Sequence, residues 1–218
     1  MTRILILLIA MVLGAAPAEP KPRQGRVDAT DVAGRFDYYL LALSWSPVYC
    51  DRHPEDRQQC AGKRFGFVLH GLWPQYTNGG YPATCPTPAR LTEDARSYAR
   101  TVFPSEKLIA HEWNRHGTCT GMEAEAYFRI AGDARDAIRL PPQFEPGSRT
   151  HETTAQAVSK AIREANPRIT HSGLAVVCSG PELAEVRICL SKDLQPIPCG
   201  SGVRDACRRG TIRVPGVR

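Results

Sequence analysis

The even number of cysteines is the feature that most limits what this chain can fold into. The sequence contains eight, at positions 50, 60, 85, 119, 178, 189, 199 and 207. In an exported protein such a set predicts a disulfide framework, for which about 105 pairings are possible. The sequence has no C-x-x-C pair, which argues against a zinc site as the alternative. Short spacing favours the local bridges Cys50–Cys60 and Cys189–Cys199 and leaves the other four cysteines open.

The N-terminal residues are typical of an export signal. Arg3 precedes the apolar run 4–13, and small residues at 16 and 18 suit cleavage after Ala18. We therefore expect a signal peptide over residues 1–18 and a flexible lead-in, rich in Pro, Arg and Gly, over residues 19–35. An uncleaved membrane-surface anchor is the alternative. Because no apolar run is long enough to cross a bilayer, we expect a secreted or periplasmic protein without a membrane span.

The net charge is compatible with a polyanionic partner. The full chain carries +6, and loss of Arg3 with the signal leaves 27 basic against 22 acidic side chains, hence +5. Such an excess favours contacts to phosphates, but an anionic surface would be attracted as well.

Hydrophobic periodicity predicts strands towards both ends of the chain and helices in the middle. Strands are expected at residues 36–45, 65–70, 174–178 and 186–190, the second of them ending at Gly71. Helices are expected at residues 92–103, 106–115, 123–139 and 153–165, and residues 76–88 form a loop. This order predicts an α+β fold with one central, mainly antiparallel sheet packed against several helices and stabilised by disulfides. We expect a single catalytic domain over residues 36–207 and a loose basic tail over residues 208–218.

The first segment that indicates chemistry is F-V-L-H-G-L-W-P-Q at residues 67–75. His70 at the end of a strand is held by rigid backbone and can face an opening. A packed turn with Trp73 as a core aromatic is the alternative for this segment alone.

The second segment is H-E-W-N-R-H-G-T-C at residues 111–119. A zinc-protease helix needs two histidines four residues apart, whereas His111 and His116 are five apart and about 140° from each other on a helix. Helical spacing instead pairs Glu112 with His116, so that a carboxylate can support an imidazole, and His111 with Arg115, which suits a phosphoryl oxygen. A surface helix of mixed charge is the alternative.

Together the two segments contain what RNA cleavage without a metal requires. One histidine can take the proton of the 2′-hydroxyl and another can protonate the 5′-oxygen. A nearby cation can stabilise the charge of the phosphorane. DNA lacks the 2′-hydroxyl, so the same site would not cleave it. We expect no cofactor and no metal.

Both segments closely resemble the two active-site signatures of the ribonuclease T2 family, and the cysteine layout extends the resemblance over roughly residues 36–207. The resemblance implies an α+β fold with a central antiparallel sheet. It also implies an endoribonuclease that cleaves single-stranded RNA by transphosphorylation through a 2′,3′-cyclic phosphate.

The resemblance assigns a role to five residues. His70 resembles the proton donor to the leaving group and His116 the proton acceptor. Glu112 resembles the catalytic carboxylate, His111 the phosphate-binding histidine, and Trp73 the aromatic residue that contacts a base.

The chain departs from the family at Arg115, where lysine is usual. The charge is preserved, but a forked guanidinium differs from a point charge, so we expect activity with an altered rate or pH response. Gln75, directly after the first signature, is a further candidate for base binding. The resemblance implies four disulfides: Cys50–Cys60, Cys85–Cys119, Cys178–Cys207 and Cys189–Cys199.

The sequence therefore predicts a monomeric, extracytoplasmic ribonuclease that degrades or scavenges RNA. A non-catalytic relative that acts as a storage, toxin-like or binding protein is one alternative, although both histidines are retained. An exported protease or phosphodiesterase is another, and it would need a nucleophile or metal cluster that the sequence does not show.

Overall fold

The strands and helices of the computed structural model alternate along residues 31–147, 149–208 and 210–217, which are the residues the structure describes. The predicted signal peptide and most of the lead-in lie outside this part of the chain. The strands are β1 Tyr38–Trp45, β2 Phe67–Gln75, β3 His151–Thr154, β4 Leu174–Ser179, β5 Glu182–Leu190 and β6 Thr211–Val214. The helices are α1 Ser46–Arg52, α2 Arg57–Cys60, α3 Glu93–Val102, α4 Glu106–Arg115, α5 Ala124–Asp136 and α6 Ala155–Ala165.

One sheet with the strand order β2-β1-β5-β6-β3 connects the whole domain, and β4 pairs with β5 as well. The pairings β1–β2, β1–β5, β3–β6 and β4–β5 are antiparallel, and β5 meets β6 in a short parallel contact. The predicted α+β fold with a mainly antiparallel sheet is confirmed.

The central strand β1 is apolar on both faces because both faces are covered. Tyr39, Leu41, Leu43 and Trp45 point into the main core that the helices share with the sheet. Tyr38 and Leu40 alternate with them and belong to a smaller cluster on the opposite face. A cleft lined by Leu40 and Trp73 lies over that second face.

Side-chain caps account for where three helices begin. The hydroxyls of Thr92, Ser105 and Thr154 accept hydrogen bonds from the first-turn amides of α3, α4 and α6. The helix expected from residue 153 begins at Ala155, because His151–Thr154 pairs with β6 as a strand. The helix expected to residue 139 ends at Asp136.

Two sequence predictions are wrong in the sheet. Strand β2 does not end at Gly71 but continues to Gln75, paired with β1 throughout. Residues 208–218 are not a loose tail as a whole, because Thr211–Val214 forms β6 with Ile212 and Val214 buried in the core. The short helices α1 and α2 were not predicted; Pro47, which was expected only to follow the end of β1, lies in the first turn of α1.

All eight cysteines form disulfides in the structure, in the four pairs that the family resemblance implied: Cys50–Cys60, Cys85–Cys119, Cys178–Cys207 and Cys189–Cys199. Cys85–Cys119 joins the loop after β2 to the 3₁₀ turn Gly117–Thr120, directly behind α4. Among the described residues no helix is long and apolar enough to cross a membrane.

Candidate active site

A β-bulge places His70 in the cleft. Ala42 of β1 pairs with Gly71 and the next residue, Leu43, pairs with Leu69, so His70 is the extra residue of β2. A bulge interrupts the strict alternation of a strand and redirects the side chain beside it. Leu69 and Leu72, three residues apart, are therefore both fully buried, while His70 and Trp73 line the cleft.

Gly71 allows the two segments, residues 67–75 and 111–119, to meet. The Nε1 of Trp73 donates a hydrogen bond of 2.7 Å to Oε2 of Glu112. A Cβ atom at residue 71 would lie 2.0 Å from that carboxylate oxygen and 2.1 Å from the indole nitrogen. Only glycine leaves room for this contact, which connects β2 directly to α4.

The backbone of the second segment, residues 111–119, is no longer helical at His116. Helix α4 ends at Arg115, and His116 is its C-cap with φ −122° and ψ −46°. One ring nitrogen each of His111 and His116 and a carboxylate oxygen of Glu112 consequently lie within 4.8 Å of one another. The angle of about 140° between His111 and His116 holds only for a helix that continues through His116. Because α4 ends at Arg115, helical spacing does not exclude a metal ion bound by His111, Glu112 and His116.

Gly117 fixes the position of His116 by allowing close packing behind it. A Cβ atom at this residue would lie 2.5 Å from the buried ring of Trp113 and 2.9 Å from that of Tyr127. The hydroxyl of Tyr127 in turn donates to the backbone oxygen of Leu72 at 3.2 Å. The end of α4 is thus packed onto the same stretch of β2 that carries His70.

These side chains surround a cleft of about 550 Å³. All seven predicted site residues line it: His70, Trp73, Gln75, His111, Glu112, Arg115 and His116. Trp73 contacts both principal histidines, since its ring centroid lies 5.0 Å from that of His70, edge to face, and 5.2 Å from that of His116, nearly stacked.

The surroundings of His70 favour its protonated form. Burial alone lowers its pKa, but Nδ1 lies 2.6 Å from Oε1 of the buried Glu185, and this hydrogen bond and charge outweigh burial, so the pKa is raised above its ordinary value. Glu112, where it is ionised, acts in the same direction, and the charge of Arg187 opposes it.

His116 is held neutral. Burial is the largest cause, followed by the positive charges of His111 and Arg115, and together with His70 they lower its pKa to about 3. The pKa of His111 is lowered as well, by burial and by the charges of His70 and Arg115. Helical spacing had suggested that Glu112 supports His116. In the structure Glu112 instead accepts a hydrogen bond from Trp73.

Glu112 is a buried carboxyl group. Burial raises its pKa to about 8, although the charge of His70 and the hydrogen bond from Trp73 both oppose the rise. Within the described residues its Oε1 has no hydrogen-bond partner, and neither does Nδ1 of His116. Because its pKa is about 8, Glu112 carries a proton and no charge at neutral pH.

A search for known relatives places these observations in one family. The model of the ribonuclease T2 family matches residues 36–199. The chain belongs to the ribonuclease T2 family. A ribonuclease of Aeromonas hydrophila is 41% identical over 171 residues, which are 77% of each chain. The RNase-related protein from Calystegia sepium superposes with a TM-score of 0.65 at 25% identity, over 83% of this chain and 96% of that one.

The fold of this T2-family protein is also that of ribonuclease MC1 from the seeds of bitter gourd, with a TM-score of 0.63 at 24% identity over 83% of this chain and 100% of that one. The predictions of the family, the fold class and a ribonuclease enzyme are confirmed.

Sequence inspection missed three residues that lie beside the predicted site residues. Tyr81 lies in the predicted loop, 46% exposed, with its ring 5.8 Å from His116 and its hydroxyl 3.3 Å from a guanidinium nitrogen of Arg115. Glu185 and Arg187 lie on β5 and share the face of the sheet that bears His70. Charged residues spaced by two in an apolar strand were the available signal, but the predicted strand began at residue 186 and left Glu185 outside.

Gln75 lies at the edge of the cleft with little freedom. The residue is only 7% exposed, and its Nε2 already donates to the backbone oxygen of Pro74 at 2.9 Å. One N–H of this amide and its carbonyl oxygen are left for a ligand.

Proposed function

We propose that this T2-family ribonuclease is an endoribonuclease that cleaves single-stranded RNA by transphosphorylation, with His116 as the base, His70 as the acid and no metal. The observation that carries the proposal is the opposite electrostatic state of two histidines in one cleft. The pKa of His70 is raised, and that of His116 is lowered to about 3. General acid–base catalysis needs such a pair, one protonated and one free to accept a proton.

In the first step His116 takes the proton of the 2′-hydroxyl, and the 2′-oxygen attacks phosphorus. The bond from phosphorus to the 5′-oxygen breaks, and the leaving oxygen takes a proton from His70. The products are a 2′,3′-cyclic phosphate and a free 5′-hydroxyl, with His116 charged and His70 neutral. Water then opens the cyclic phosphate with the two roles exchanged, which restores both protonation states.

The remaining polar groups stabilise the phosphorane. Arg115 and His111 form the basic wall of the cleft and offer N–H donors to phosphoryl oxygens. Glu112 is protonated below about pH 8 and so adds no negative charge where a phosphate must bind. Anchored by Trp73, it acts as a neutral acid, which refines the role of catalytic carboxylate.

Aromatic rings give the cleft its affinity for unpaired bases. Trp73 and the exposed Tyr81 offer ring faces on which a base can stack, and the amide of Gln75 retains one N–H donor and its carbonyl oxygen for contact with a base. Stacking of this kind requires unstacked nucleotides, so we propose single-stranded RNA as the substrate.

Four disulfides support a site of action outside the cytoplasm, because such bonds persist in oxidising compartments. With the predicted signal peptide, they lead us to propose a secreted or periplasmic monomer that degrades or scavenges RNA.

Cleavage of RNA and DNA in excess chelator tests the proposal. The wild type should cleave RNA alone and leave 2′,3′-cyclic phosphate ends. His70→Ala and His116→Ala should each lose about 10²–10⁴-fold in kcat. His53→Ala, which removes an exposed histidine beside α1, is the matched control and should retain full activity.

RNA cleavage undiminished in both cleft variants would overturn the mechanism, and activity that depends on added metal would overturn metal independence. A wild type that binds RNA without cleaving it would identify a non-catalytic relative.

A further inference from the structure

Glu185 is a buried acid directly behind His70. It pairs with Ser44 at the last position of the β1–β5 register, and the residue is only 5% exposed. Its Oε1 lies 2.6 Å from Nδ1 of His70. A buried carboxyl group without a partner would be costly, so its place in the sheet depends on the groups that bind it.

Arg187 binds the second oxygen of the same carboxylate. Its Nε donates to Oε2 of Glu185 at 2.5 Å. Because the two residues are spaced by two along β5, they lie on the same face of the sheet. The guanidinium also lies 5.5 Å from the ring centroid of Trp73. Glu185 is therefore held at both oxygens and cannot rotate away from His70.

The ionisation of Glu185 determines the tautomer of His70. Burial raises the pKa of this carboxyl group, but the hydrogen bond and charge of His70, together with Arg187, lower it overall. An ionised carboxylate can only accept hydrogen bonds, so Nδ1 of His70 is the donor and Nε2 is left for the substrate. The other charged or titratable groups that face His70 belong to the α4 segment: Glu112, His111 and His116.

We propose that Glu185, held by Arg187, is a positioning residue that fixes the orientation and the tautomer of the His70 ring and stabilises its cation. The inference rests on the proposed function, in which His70 is the acid. Glu185 acts through His70 and does not itself touch the substrate. The arrangement corresponds to the orienting third group behind a catalytic histidine in hydrolases.

Glu185→Gln tests this role because it keeps the shape of the side chain and removes its charge. Since Glu185 raises the pKa of His70, its loss should move the alkaline limb of kcat/KM to lower pH, by about one pH unit. Glu185→Asp, which retains the charge, should move the limb less. Glu182→Gln is the control, because Glu182 lies three residues away on β5 and pairs with Arg213 at 2.9 Å instead. An alkaline limb that stays in place in Glu185→Gln overturns the proposal.

NMR titration of the wild-type histidines keeps the test independent of variants that fail to fold. The His70 ring, assigned with His70→Ala, should titrate above the ordinary pKa of about 6.5 and retain its proton on Nδ1 when neutral. Titration below that value, or a neutral ring protonated on Nε2, overturns the proposal. Absence of RNA cleavage by the wild type would overturn the proposed function but leave this titration interpretable, so the two failures are distinguishable.

Discussion

Trp73 donates its indole hydrogen to Glu112 across the bare Cα of Gly71, and this hydrogen bond joins the two halves of the site. Trp73 is on the strand that carries His70, and Glu112 is on the helix that ends at His116. The relative position of the two histidines therefore depends on a contact that neither of them makes.

Gly71→Ala should separate the two halves. The added methyl group would overlap Oε2 of Glu112, so the strand or the carboxyl group must move. Overpacking of this kind costs about 1–3 kcal/mol, and a shift of about 1 Å can reduce kcat about 10²-fold. Thermal unfolding and steady-state kinetics measure the two effects. Trp73→Phe, which removes the donor without adding volume, should lose less stability than Gly71→Ala; a larger loss would place the strain elsewhere.

Arg115→Met should alter the acidic side of the pH profile. Arg115 is one of the charges that lower the pKa of His116, so its removal should raise that pKa and move the acidic limb of kcat/KM to higher pH. The loss of a cation from the phosphate wall should also reduce kcat about 10²-fold at neutral pH. Arg115→Lys, which restores the residue usual in the family, should keep the limb near its wild-type position. If the acidic limb is displaced equally in Arg115→Met and Arg115→Lys, the charge of residue 115 is not the cause of the displacement.

Arg187→Met should act with the opposite sign to Glu185→Gln. The charge of Arg187 lowers the pKa of His70, whereas that of Glu185 raises it. Removal of Arg187 should therefore move the alkaline limb of kcat/KM to higher pH. If the limb moves to lower pH instead, Arg187 acts chiefly by holding Glu185 in place and this prediction is wrong.

The disulfides should differ in their contribution to stability. Cys85–Cys119 closes a separation of 34 residues and Cys50–Cys60 one of 10, so chain entropy predicts a contribution about 1 kcal/mol larger for the first. Replacing each pair by alanines and measuring urea unfolding tests the order. Only the loss of Cys85–Cys119, which holds the turn behind His116, should also reduce activity. Equal activity loss in both double variants would indicate a general rather than a local effect.

The sequence was sufficient for the parts of the site that depend on local spacing. The signatures predicted that His70, Glu112 and His116 share one site, and all three line the same cleft. The caps at Thr92 and Ser105 located two helices, because these signals act within a few residues.

Other parts depend on contacts between distant segments. The bulge at His70 exists only in the register of β1 and β2, and Glu185 becomes a partner of His70 only when β5 pairs with β1. Strand β6 was missed for the same reason, since four residues have no clear period without their partner β3. The sequence predicted the end of α4 at Arg115, but the direction of the His116 ring depends on the C-cap conformation of that residue and on the close packing behind Gly117.

Glu112 should lower the free energy of unfolding of the protein at neutral and alkaline pH. Its pKa is raised to about 8 in the folded protein, against an ordinary value near 4.5. Between these values the folded state binds a proton that the unfolded state lacks, so stability falls as pH rises through this window. Glu112→Gln keeps the hydrogen bond from Trp73 and never ionises. It should therefore match the wild type at pH 4 and exceed its free energy of unfolding at pH 8, by a few kcal/mol at most.

Urea unfolding of both proteins at several pH values measures this difference. Glu182→Gln, at a partly buried carboxylate of β5 that pairs with Arg213, serves as the control that should show no such divergence. The same Glu112→Gln protein should be less active, because glutamine cannot supply a proton beside the phosphate. A variant that is both less stable than the wild type at pH 8 and less active would show that Glu112 is ionised in the folded protein, and the neutral acid proposed here would have to be replaced by a carboxylate.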